Sequence, residues 1–168
     1  MTVRATLIAL GAALLLTGCG GDATSSAPSF RSVYAFASKA HLAFEFDAAA
    51  SSAIESALRS GDTAKAYQTA RSASRGFGEL EQSMATNPHG FDATSAAMTE
   101  YESSAQGAYR SAARALNNPT LSNGYEAKKR TMDVGAEAAI ADFKADLART
   151  HFSAAQKAQL LRRFLKGD

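Results

Sequence analysis

From Ser29 onward, apolar residues recur every three to four positions with polar side chains between them. That period breaks at only four places: Gly61-Asp62, Asn87 to Asp92, Asn117 to Gly124, and Thr150 to Ser153. A period near 3.6 lays such positions along one helix face, so the pattern predicts five helices. Phe30, Val33, Phe36, Ala37, Ala40, Phe44, Ala48, Ile54 and Leu58 fall on one broad face of the first. The second aligns Ala66, Ala70, Ala73, Phe77, Leu80 and Met84, and the third Met98, Tyr101, Ala105, Ala108, Tyr109, Ala112 and Leu116. Leu121, Tyr125, Met132, Ala136, Ala139, Ile140, Phe143 and Leu147 mark the fourth.

The breaks carry matching chemistry. Gly61 suits the left-handed position that ends a helix, and Asp62 and Asp92 are placed to cap the helices that follow. Pro88 and Pro119 lack the amide hydrogen a continuing helix needs. Ser153 with Gln156 fits a capping box for a last helix over residues 153 to 166. Amphipathic helices of roughly 25 to 30 residues, about 40 Å long and joined by short loops, pack antiparallel. The expected fold is therefore all-α: an up-down-up-down four-helix bundle with a short fifth helix against one end or side.

Composition supports this. Alanine, the best helix former, occurs 38 times, against 12 Gly, 3 Pro and no Trp. Alanine-lined faces let helices approach closely but bury little apolar area, so Phe and Tyr must supply most of the core. With a net charge of +2 and both signs interspersed, the chain has no overall phosphate-seeking excess, and no nucleic-acid partner is expected.

Residues 1–19 differ in kind. A basic start at Arg4, an apolar run from Ala5 to Leu16 and then small residues make a secretory leader, too short for the roughly 20 residues of a permanent span. The segment Leu16-Thr17-Gly18-Cys19, holding the chain's single cysteine, resembles the lipobox of bacterial lipoprotein precursors. The resemblance covers the leader only. It implies cleavage after Gly18 and acylation, palmitate included, of Cys19, where each buried methylene contributes about 0.8 kcal/mol of membrane binding. Gly20, in a place where Asp commonly retains such proteins at the inner membrane, points to the periplasmic face of the outer membrane. The expected organisation is a leader over 1–18, a lipidated cysteine and polar tether over 19–28, and a helical domain over 29–168.

Candidate chemistry is sparse. His41 and Glu45, one turn apart, share a helix edge and read as a surface pair rather than two metal ligands; no metal or other cofactor is expected. His89 and His151 fall in turns. Asp47 is unusual, because its helical angle sets a carboxylate on the apolar face between Phe44 and Ile54. Three readings follow: the helix breaks near Phe46 and Asp47 caps a second segment, Asp47 pairs with Lys128 or Arg114, or it is a functional acid. Gly76-Phe77-Gly78 lacks the strand and spacing of a phosphate loop.

Leu42 and Phe46 point away from the main apolar face, so either the fifth helix or a partner covers them. That helix sets Ala154, Ala158, Leu160, Leu161, Phe164 and Leu165 opposite Arg162, Arg163 and Lys166. It is suited to closing the bundle, or to docking on an anionic bilayer. With no catalytic motif present, two non-enzymatic functions compete. One is a membrane-anchored module that binds an envelope protein, as an immunity or accessory protein does; the other is a carrier or sensor of a small apolar ligand held between helices.

Overall fold

Ser29 opens the first helix by accepting the Ser32 amide at 3.0 Å. In the computed structural model, which describes residues 27–83, 87–118 and 122–167, five helices follow. They are α1 (Phe30–Arg59), α2 (Thr63–Ser83), α3 (Asp92–Asn117), α4 (Ser122–Arg149) and α5 (Ala154–Lys166). Among the described residues there is no strand.

Most predicted caps are present. Gly61 sits at φ +76° after α1, Asp62 accepts the Lys65 amide at 2.9 Å, and Ser153 and Gln156 close a reciprocal capping box on α5. Asp92 does otherwise. The N-cap of α3 is Phe91, which makes no side-chain cap, and Asp92 lies within the first turn. The cap comes from a distant element: Asp146 of α4 accepts the Thr94 amide at 3.2 Å and its hydroxyl at 2.5 Å. Phe91 is needed elsewhere, fully buried with its ring 5.7 Å from that of Phe143.

Cross-helix pairs give the direction of each neighbour. Lys39 reaches the Ser83 carbonyl while Phe46 meets Phe77, so α1 and α2 are antiparallel. Thr94 meets Asp146 and a side chain on Gly135 would meet Tyr101, so α3 and α4 are antiparallel too. Phe44 against Tyr101 and Ser51 against Tyr109 make α1 and α3 parallel, as an up-down-up-down bundle requires.

The bundle is nevertheless not a closed square. Among the described residues no Cα of α1 comes within 8 Å of one in α4. α5 wedges between them along the first half of α1, where Phe164 stacks on Phe143 at 4.1 Å and meets Phe44 edge-on at 5.6 Å. Arg163, assigned by pattern to the free basic side, instead donates to Ser38 Oγ at 2.7 Å and lies 5.2 Å from the Tyr34 ring centroid. Leu160 and Phe164 are fully buried against the bundle, while Ala154, Ala158 and Leu165 of the same predicted face are exposed.

The buried face of α1 also differs from its predicted outline. Phe36, Ala43, Ala50 and Ala57 are buried at seven-residue intervals, whereas Ala48 and Leu58 are exposed. The stripe follows the neighbours α1 actually has, and past Phe44 it has no α5 beside it.

Candidate functional site

Where α5 stops, the α1–α4 seam stays open as a cleft of about 630 Å³. Its walls come from the second half of α1, the end of α3 and the start of α4. Ile54, Leu58, Leu116 and Tyr125 supply apolar surface, while Glu55, Glu126 and Lys129 stand at the edges. Leu58 is 46 % exposed, high for a leucine on the side of a helix that faces its neighbours.

Asp47 lies at the inner end of this region. α1 runs unbroken through it, so it caps no second segment. Nor does it pair with Lys128 or Arg114. Tyr109 donates to its Oδ1 at 2.5 Å, with the Ser51 hydroxyl 2.9 Å from the same phenolic oxygen. The Tyr109 ring stacks on Phe77 at 5.7 Å, which fixes the donor from behind. Burial raises the Asp47 pKa; the Tyr109 hydrogen bond and the nearby positive charge of Lys129 work against that rise without cancelling it. The same burial and the hydrogen bond to Asp47 push Tyr109 up from the usual tyrosine value. Burial acts against the charge on Lys129, yet its partner Asp133 at 3.4 Å prevails and holds that ammonium above its ordinary value.

The predicted Leu42 and Phe46 pair lines one shallow groove together with Gly76 and Leu80 of α2. Leu42 is 52 % exposed, but Phe46 is half-buried against α2, edge-on to Phe77 at 5.2 Å. Gly76 makes room for it, since a Cβ there would collide with the Phe46 ring. The helix that covers Phe46 is thus α2, not the fifth helix. His41 is not a surface residue either. Its Nε2 lies 3.2 Å from Glu45 Oε1, outside hydrogen-bond geometry, and its ring lies under Gly167 at the end of α5. Among the described residues no three His, Cys, Asp or Glu gather as a metal set. No helix there is long and apolar enough to cross a membrane. Cys19 and the leader lie outside the described residues.

Two buried acids escaped the sequence reading, Asp146, which caps α3, and Glu102. Glu102 is fully buried on α3, with no hydrogen-bond partner for either oxygen among the described residues. Burial, reinforced by the charge of Glu81, raises its pKa to about 7. The wheel that flagged Asp47 also flags this residue, four after Met98 and three before Ala105 on the buried face.

No protein-family model, characterised protein or solved structure matches this chain.

Proposed function

We propose that this chain is a lipoprotein anchored through Cys19 that serves as a non-enzymatic interaction module in the cell envelope. Its binding surface is the open half of the α1–α4 seam, and its partner presents an amphipathic helix. The observation that carries this reading is the behaviour of α5. One half of the seam already accepts such a helix through Phe164, and the other half offers apolar walls of the same helices with no described helix across them. Polar edges at Glu55 and Lys129 would set the register of the incoming helix.

A photo-crosslinking residue placed at Leu58 in the full chain tests this in cells. The expected result is a discrete crosslinked protein that a second site on the opposite surface, such as Arg75, does not capture. Identical products from both sites would remove the case for the cleft. Labelled palmitate on the wild-type chain, and none on Cys19→Ser, is the expected result for the anchor.

A second reading is favoured by volume. A cleft of about 630 Å³ falls in the range that small ligands occupy, so the seam would suit an apolar carrier. Native mass spectrometry of the purified chain separates the two, because a carrier retains a bound small molecule.

A further inference from the structure

A second concavity, about 680 Å³, runs along the α2–α3 seam, and four arginines line it: Arg71 and Arg75 from α2, Arg110 and Arg114 from α3. All four are exposed, and among the described residues none forms a salt bridge. Glu79 is the sole acid among the described lining residues. Ser74 donates to the Gln106 carbonyl at 3.0 Å, and this antiparallel register sets Arg71 about level with Arg110, with Arg75 about one turn to one side and Arg114 about one turn to the other. The four arginines thus spread over about two helical turns, roughly 12 Å, with Arg71 and Arg110 at the middle.

Such an arrangement opposes stability. Like charges four residues apart destabilise a helix, and here two such pairs also face each other across a seam. The floor is polar and open. Gly78 has no side chain where a Cβ would strike the Gln106 amide, so that amide sits in the base of the groove. An acidic helix would need apolar anchors along the groove, and Tyr67 and Ala113 are the only such lining residues described. Arginine forks bind tetrahedral oxyanions in pairs, and one phosphate brings nearly two charges where a carboxylate brings one.

We propose that the α2–α3 groove is a binding site for a small ligand carrying more than one phosphate group. It is independent of the α1–α4 cleft. The local excess is concealed in the sequence, because acids elsewhere bring the whole chain to +2.

Inorganic tripolyphosphate, titrated calorimetrically into the full chain at low ionic strength, tests the assignment. Saturable binding is expected, about tenfold weaker for Arg75→Gln or Arg110→Gln. Arg130→Gln, an exposed change outside the groove, should leave it unaltered. Without added phosphate, the two groove variants should melt higher than the parent, because repulsion is relieved. Four results would overturn the proposal: no saturable binding, equal weakening by Arg130→Gln, groove variants that melt lower, or tighter binding of polyglutamate than of tripolyphosphate.

Discussion

Tyr109 reaches from α3 to α1 and gives its phenolic hydrogen to Asp47 across 2.5 Å. This contact makes a carboxylate tolerable on an apolar face, and it ties together two helices that are otherwise diagonal in the bundle.

Tyr109→Phe keeps the ring stack and deletes only the hydroxyl. It should lower unfolding free energy by about 2 kcal/mol, the usual loss for a hydrogen bond to a charged group. The Asp47 pKa, raised already, should rise further in a carboxyl NMR titration, because the bond lost is one that favours the ionised form. Asp47→Asn, which retains an acceptor for Tyr109, should change stability much less.

Glu102 gives the fold a pH dependence of definite sign. Its pKa in the folded chain, about 7, lies above the ordinary 4.5, so between those values the folded state holds the extra proton. Stability is therefore greatest below that window, falls as pH rises through it and stays low above. The loss should be on the order of 3 kcal/mol. Urea unfolding across this range should show the slope in the parent and a flatter profile in Glu102→Gln. Asp47, also raised, adds to the slope in the same direction.

The long-range cap on α3 is open to a direct check. Asp146→Ala leaves the Thr94 amide and hydroxyl without their acceptor and should destabilise by about 2 kcal/mol, the upper end for helix caps because the site is buried. Hydrogen exchange should quicken first at the start of α3.

Gly135 tests how closely α3 and α4 pack. A Cβ there would stand 3.2 Å from the Cα of Tyr101, and backbone atoms yield little. Gly135→Ala should therefore cost about 1 to 2 kcal/mol in thermal unfolding, despite the helical preference of alanine.

Helix number, order and nearly every boundary were readable because apolar spacing and cap residues are local signals. The inward face of α3 followed from the same spacing, whereas on α5 only Leu160 and Phe164 are buried and Ala154, Ala158 and Leu165 are exposed. Where reading failed, the deciding contact was between helices. Asp47 finds Tyr109 rather than a cation, Asp146 rather than Asp92 caps α3, and Arg163 turns inward to Ser38 and Tyr34. Periodicity tells which side of a helix is apolar but not which neighbour stands there. For that reason it marked Leu58 as core, when the helix that would have covered it ends short. The arginine groove was missed for a related reason: its two pairs are separated along the chain and meet only through the α2–α3 register.

The wedge formed by α5 has a bearing on biogenesis. The ribosome releases α1 first and α5 after all four other helices, yet Phe44 receives Phe164 only when the latter emerges. Until then one flank of the nascent domain presents bare aromatic rings, a natural foothold for a chaperone. α5, the fifth of these helices to emerge, is the one that withdraws it.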